Sequence, residues 1–269
     1  MNEPPLILEP QALAQSLKYD QIMIVDLSGP EHYAEAHIPG AVHVHPRETQ
    51  GRHSPVPGLA PEPAELRALL GRIGYTPEHH VVAYDDEGGG WAGRFLWLLE
   101  SIGHSRYSLL NGGRIAWTAE GWPTTAETPC PRPTTPEIRL HNGPTASRQE
   151  VETAIGNSEI SIWDARSPEE YRGERQQAAR NGHIPGAANL EWTELMDPDN
   201  HYRLLPEEQL RRRLEAAGIR SGTGVITHCQ SHHRSGLTYV VARALGFSPV
   251  KAYAGSWAEW GNLAETPIE

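Results

Sequence analysis

Val225-Ile226-Thr227-His228-Cys229-Gln230-Ser231-His232-His233-Arg234-Ser235-Gly236, continuing as Leu237-Thr238-Tyr239-Val240-Val241-Ala242-Arg243-Ala244-Leu245, reads as an apolar strand, a polar loop and a helix. Cys229 sits at the turn between them. A thiol there faces the converging N–H groups and the positive dipole end of the following helix, which favours the thiolate, the nucleophilic form of sulfur. A free cysteine with a pKa of about 8.5 is only a few per cent ionised at neutral pH. Lowering that value by about two units takes roughly 2.7 kcal/mol. A helix N-terminus supplies on the order of 0.3–2 kcal/mol, and a guanidinium a few ångströms away shifts a pKa by about 1–3 units. Arg234 is in place for the second contribution. A buried, inert cysteine is the bland alternative, but the six residues after Cys229 are too polar for a core.

Read outward from this stretch, the chain repeats itself. Ile22-Met23-Ile24-Val25-Asp26 recurs as Ile160-Ser161-Ile162-Trp163-Asp164, and Pro30-Glu31-His32-Tyr33 as Pro168-Glu169-Glu170-Tyr171. His37-Ile38-Pro39-Gly40-Ala41 is answered by His183-Ile184-Pro185-Gly186-Ala187, and Val81-Val82-Ala83-Tyr84-Asp85 by Val225 to Cys229. Asn111-Gly112-Gly113-Arg114-Ile115-Ala116-Trp117 matches Ala254-Gly255-Ser256-Trp257-Ala258-Glu259-Trp260. Short β-branched runs alternate with amphipathic stretches such as Pro63 to Ile73 and Pro206 to Ala217. The expected fold class is therefore α/β, two tandem units each with a mostly parallel sheet flanked by helices. The expected division is 1–125, a Pro/Thr-rich linker over 126–144, and 145–269.

The two units differ where the chemistry would be. Asp85 stands where the second unit has Cys229 and leads an acidic run, Asp85-Asp86-Glu87; Ser28 stands where it has Arg166. A carboxylate is no sulfur nucleophile, so the first unit reads as a silent partner. His37 and His183 occur in both units, as do Asp26 and Asp164, so structural hydrogen bonds explain them better than catalysis. Gly112 and Gly255 read as turn glycines needing special backbone angles. Cys130 falls in the linker, is expected to be exposed, and is given no catalytic role.

With 269 residues, 38 % hydrophobic and 21 % charged, the composition is that of a globular protein. A net charge of −11 argues against nucleic acid and acidic membranes as partners. Met1-Asn2-Glu3-Pro4-Pro5 does not open a secretory signal or a membrane span. Neither of the two cysteines lies in a metal-ligand spacing, so no metal and no disulfide framework is expected, and the cytoplasm is the default compartment.

On Tyr33-x3-His37-Ile-Pro-Gly-Ala, on Val250-Lys251-Ala252-Tyr253-Ala254-Gly255-Ser256-Trp257-Ala258-Glu259-Trp260, and on the strand–Cys–loop–helix unit, the whole chain resembles the tandem-domain rhodaneses, the thiosulfate sulfurtransferases and their mercaptopyruvate relatives. The loop from His228 to Gly236 is similar to that of the bacterial, Azotobacter-type members. The resemblance implies an inactive rhodanese-like first domain and a catalytic second one. It implies that Cys229 takes the outer sulfur of thiosulfate as a persulfide and passes it to a thiophilic acceptor such as cyanide or a thiol. It implies no cofactor, and Arg166 as a contact for the donor's anionic group. The backbone of Gln230, Ser231, His232, His233, Arg234 and Ser235 is expected to ring the sulfur with N–H donors, with Arg234 adding charge and the histidines doing so only when protonated. Trp192 reads either as a wall of the site or as plain packing, and a monomer is expected. The loop departs from the mercaptopyruvate type, Cys-Gly-Ser-Gly-Val, which leaves the donor open between thiosulfate and 3-mercaptopyruvate. Two rivals remain. Cys229-x4-Arg234 is one residue shorter than the Cys-x5-Arg loop of tyrosine phosphatases, and turnover of an aryl phosphate would favour that reading. A sulfane-sulfur carrier would instead show slow turnover that rises with a protein acceptor.

Overall fold

In the computed structural model, which describes residues 4–17, 21–51 and 56–269, each half of the chain builds its own parallel sheet. The first half runs β1 (Ile7–Leu8), α1 (Pro10–Ser16), β2 (Ile22–Asp26), α2 (Pro30–Glu35), β3 (Val42–His43), α3 (Pro63–Arg72), β4 (His80–Tyr84), α4 (Gly90–Ser101), β5 (Tyr107–Leu110) and α5 (Gly113–Ala119). The second runs α6 (Arg148–Ala154), β6 (Ile160–Asp164), α7 (Pro168–Tyr171), β7 (Ala188–Asn189), a short antiparallel pair β8 (Met196–Asp197) and β9 (Arg203–Leu204), then α8 (Glu207–Ala216), β10 (Gly224–His228), α9 (Arg234–Ala244), β11 (Val250–Ala252) and α10 (Ser256–Trp260). Pro30 and Pro168 open their helices, as the repeated Pro-Glu pairs predict, because proline at the first helical position lacks only an N–H that would have no partner there.

The sheet orders are β1-β5-β4-β2-β3 and β11-β10-β6-β7. All five residues of β4 and of β10 are buried, which is why both read as unbroken apolar runs rather than alternating ones. Each central pair, β4 beside β2 and β10 beside β6, is also where the winding direction of the sheet reverses. Open α/β sheets leave a crevice at the carboxyl ends of strands at such a point. Cys229 and Asp85 are the residues that leave β10 and β4 there.

The halves meet helix to helix. α4 rests on β4 and β5, α9 rests on β10 and β11, and the two helices pack against each other. Both are buried nearly all round, α9 over Ser235 to Ala242 without a break. Their backbones touch: a Cβ on Gly93 would lie 2.4 Å from the Gly236 carbonyl oxygen, and one on Gly236 would lie 2.4 Å from that of Gly90. One apolar cluster consequently runs through both halves, from Met23 and Val81 to Val225 and Ala254.

The linker stretch over 126–144 carries no helix or strand, and Thr134 ties it to the end of α3 by bonding the carbonyls of Gly71 and Tyr75. Cys130 is free and exposed. Among the described residues, no helix is long and apolar enough to cross a membrane. One expectation needs correcting. Gly112 does take a left-handed angle, φ 71°, but Gly255 is ordinary at φ −59°. Its neighbour Ser256 holds the positive angle instead, φ 53°, at the place that Gly113 occupies in the first half. Gly255 is small for another reason: a Cβ there would come 2.0 Å from a Glu259 carboxylate oxygen.

Candidate active site

Four residues separate Cys229 from the start of α9, and four separate Asp85 from the start of α4, so the two halves carry loops of equal length. The carbonyls of the second loop are turned outward: Trp257 N–H binds the Cys229 carbonyl at 3.0 Å and Ala258 N–H binds that of Gln230 at 2.9 Å. The N–H groups are thereby left to the inside. Ser231 and Ser235 both present theirs to the Cys229 sulfur, and the Ser235 hydroxyl donates to Sγ at 3.5 Å.

Cys229 is buried, 1 % exposed, and burial alone would raise its pKa. The positive charge of Arg234 opposes this, with the Ser235 hydroxyl and the Ser235 and Ser231 amides, and together they hold the thiol below its ordinary value. Arg234 is itself fixed by a two-pronged pair with Glu170 of α7, at 2.5 and 3.0 Å. Ser256 supports the loop from beneath: its Oγ accepts the N–H of Cys229 at 3.3 Å and of His232 at 3.2 Å.

Of the other expected site residues, Arg166 lies elsewhere than the sequence implied. Arg166 is enclosed, 1 % exposed. Nε and Nη2 grip the Asp164 carboxylate at 2.6–3.0 Å, Nη2 also donates to the Gly182 carbonyl, and the guanidinium lies 4.3 Å above the Trp257 ring. The expectation of a free cation for the donor is corrected: Asp164, two residues back on the same strand, is its anion. His232 is no source of charge, in keeping with the expectation that a histidine adds charge only when protonated. Its ring is buried edge-on against Trp97, and burial first, then Arg94 and His233, push its pKa well below 6.5, so it stays neutral. With Nδ1 protonated it donates to Ser235 Oγ at 2.8 Å, which leaves the hydroxyl proton free to point at sulfur. His233 turns away from the sulfur, stacks on Trp91 at 4.2 Å and bonds Glu87 of the first half. Gln230 reaches out to the Gln177 carbonyl. Trp192 packs against His233, with ring centroids 5.4 Å apart.

The first half repeats this construction with a different occupant. Arg114 N–H binds the Asp85 carbonyl at 2.9 Å, as Trp257 binds that of Cys229. Here the Asp85 carboxylate itself fills the loop, accepting the N–H groups of Glu87, Gly88, Gly89 and Ala92 at 2.7–3.1 Å. Burial, and then Glu87, raise its pKa to about 6 in spite of those bonds. The paired motif histidines are structural in both halves: His37 and His183 stack on Tyr33 and Tyr171 at 3.9 and 3.7 Å and bond those tyrosines' carbonyls.

Three residues around the sulfur escaped the sequence reading. Glu170 reads in the sequence as part of a Pro-Glu helix start, and Ser256 as one more residue of the Ala254 to Trp260 match. Arg94 carried a signal that went unused, an arginine inside the otherwise apolar run from Gly90 to Leu99 of α4.

Comparison with known proteins gives one pattern throughout. A family described as the rhodanese-like domain matches twice, over residues 9–120 and 147–263. The chain is 51 % identical over 265 residues to the thiosulfate sulfurtransferase of Azotobacter vinelandii, covering 98 % of this chain and 97 % of that one. It is 49 % identical over 268 residues to the thiosulfate sulfurtransferase of Pseudomonas aeruginosa, covering 100 % and 98 %. Among solved structures it superposes with a TM-score of 0.83 on SseA from Escherichia coli, a 3-mercaptopyruvate sulfotransferase of rhodanese fold, at 25 % identity over 94 % of this chain and 99 % of that one.

Proposed function

The chain belongs to the rhodanese-like domain family, and from that premise we propose that it is a thiosulfate sulfurtransferase working by double displacement on Cys229. The Cys229 thiolate attacks the outer sulfur of thiosulfate. A new S–S bond forms to the enzyme, the S–S bond of the donor breaks, and sulfite leaves with its electron pair. The persulfide's terminal sulfur now bears the negative charge. A thiophilic acceptor such as cyanide attacks that sulfur, giving thiocyanate and restoring the thiolate. No proton has to move in either half-reaction when both anions stay ionised, so the neutral His232 beside the sulfur is not needed as a general base.

The observation that carries this reading is the inward set of donors on one sulfur: the Ser231 and Ser235 amides, the Ser235 hydroxyl and the Arg234 charge, which outweigh complete burial. The whole-chain identity to two thiosulfate sulfurtransferases favours thiosulfate over 3-mercaptopyruvate as donor. The first half, with a carboxylate in place of the thiol, is read as catalytically silent. Two free cysteines, one of them exposed, suit a reducing cytoplasm. Intact mass spectrometry after incubation with thiosulfate tests the proposal. A gain of about 32 Da, one sulfur atom, is expected in the wild-type chain, released by cyanide and absent from a folded Cys229→Ala variant. Sulfur uptake that survives Cys229→Ala overturns it.

A further inference from the structure

Arg94 of α4 is 0 % exposed, yet it belongs to the half that has no thiol. Its guanidinium is satisfied by oxygen atoms that carry no charge. Nε donates to the carbonyl and hydroxyl of Thr49, both at 3.1 Å, and Nη2 to the carbonyls of Thr49 and Leu59 at 2.7 and 3.0 Å. Nη1 donates to the carbonyl of Gly58 at 2.9 Å and, across the interface, to that of His232 at 3.3 Å. Among the described residues no carboxylate pairs with it. A fully buried cation without an anion is costly even when every N–H is bonded, so such a charge calls for a compensating one nearby.

His232, the residue it reaches, is unusual in its own right. It holds φ 55°, a left-handed conformation that bulky residues avoid and keep only where their surroundings fix it. Its N–H goes to Ser256, its ring to Ser235, and its carbonyl to Arg94. The same residue therefore joins Arg94 to the hydroxyl that touches the Cys229 sulfur.

We propose that Arg94 is a positioning residue for sulfur transfer: supplied by the silent half, it fixes the Cys229 loop through the His232 carbonyl and balances its buried charge against the anion on the Cys229 sulfur. Burial pushes the Arg94 guanidinium down, to about 9, and the charge of Cys229 pushes it back up. The remaining charged and titratable groups around Cys229 come from every neighbouring element. They are Arg234 of α9 with its partner Glu170 of α7, neutral His228 at the end of β10, neutral His232 on the loop, His233 on the loop with its partner Glu87 of the first half, and the Arg166–Asp164 pair at the end of β6 beside His228. Arg94 and Glu87 originate in the first half, and of the two Arg94 is the one fully buried. On this view that half is part of the catalytic apparatus although it performs no chemistry.

The inference rests on Cys229 being the reacting thiol, but its test reads ionisation and not turnover. The rate of iodoacetamide alkylation of Cys229 is followed against pH in the full, sulfur-free chain for wild type, R94M, R94K and T49V. R94M should move the midpoint up by about one unit, with about tenfold slower alkylation at neutral pH. R94K, which keeps the charge and loses most of the hydrogen-bond fan, should leave the midpoint in place while lowering kcat. T49V, which removes one neutral acceptor, should also leave it in place. An R94M protein, folded by near-ultraviolet circular dichroism, with an unmoved midpoint would overturn the proposal. Where R94M does not fold, R94K decides alone: a midpoint displaced by a full unit assigns Arg94 a purely geometric role. A chain that accepts no sulfur, yet shows the R94M displacement, would sink the sulfur-transfer reading and leave standing the hold of Arg94 on the Cys229 ionisation.

Discussion

Replacing Arg234 by methionine should cost the Cys229 sulfur its main electrostatic support. Arg234 is the largest influence holding that thiol below its ordinary value, since burial alone acts the other way. Opposite charges a few ångströms apart, in a medium of effective dielectric about 20, attract by about 3 kcal/mol, which is about two orders of magnitude in the thiolate fraction. The Arg234 side chain is 19 % exposed, so solvent weakens this only in part. The variant also leaves Glu170, 3 % exposed, as a buried carboxylate without its cation. Both effects have one sign. Alkylation of Cys229 at neutral pH should fall about a hundredfold and its midpoint should move to higher pH. E170Q should move the midpoint the other way, because it removes a negative charge and keeps the cation. The assay is iodoacetamide alkylation across pH with quantitative mass spectrometry of the Cys229 peptide. If R234M, folded as judged by near-ultraviolet circular dichroism, reacts within twofold of wild type with the same midpoint, the amide ring and not the guanidinium sets the ionisation, and the argument from Arg234 is wrong.

Ser256→Ala strips the acceptor from two buried N–H groups, those of Cys229 and His232; at about 1–3 kcal/mol each, denaturant unfolding should show a loss of about 2–6 kcal/mol, with sulfur transfer reduced in the fraction that stays folded. Asp85→Asn tests the filled loop of the first half. Because the folded pKa of Asp85 is raised to about 6, from 3.8 when unperturbed, the native state binds more protons than the unfolded one between those values, and wild-type stability should fall by about 3 kcal/mol as pH rises through that window. Asp85→Asn should lack that slope, as read from unfolding curves at several pH values, and its turnover should stay near wild type.

What the sequence made legible was local. A strand, a polar loop and a helix follow one another without interruption, and their order alone locates Cys229 at the dipole end of α9. The repeat was legible because the strands and Pro-Glu helix starts recur in the same order. Directions of side chains were not. Arg166 occupies the expected end of its strand, but nothing in Asp164-Ala165-Arg166 says that the guanidinium folds back onto Asp164 rather than forward to a ligand. The neutral state of His232 depends on Trp97, and the role of Ser256 on a φ angle that the Gly255 beside it was expected to carry. Arg94 reaches a carbonyl 138 positions along the chain. Such a contact exists only once two helices have crossed at Gly93 and Gly236.

The Asp85 loop has a consequence for the working one. It is a socket of the same make with a carboxylate built in, and its four amide donors keep that group ionised at neutral pH although burial and Glu87 raise its pKa to about 6. The catalytic socket is never without such an ion either: thiolate before the donor arrives, persulfide after sulfite departs, thiolate again once the acceptor has left. The net charge in the ring is the same at every resting point of the cycle, so neither half-reaction asks the loop to rearrange, and a rigid frame built from two crossed helices suffices where a hinged one would slow the work.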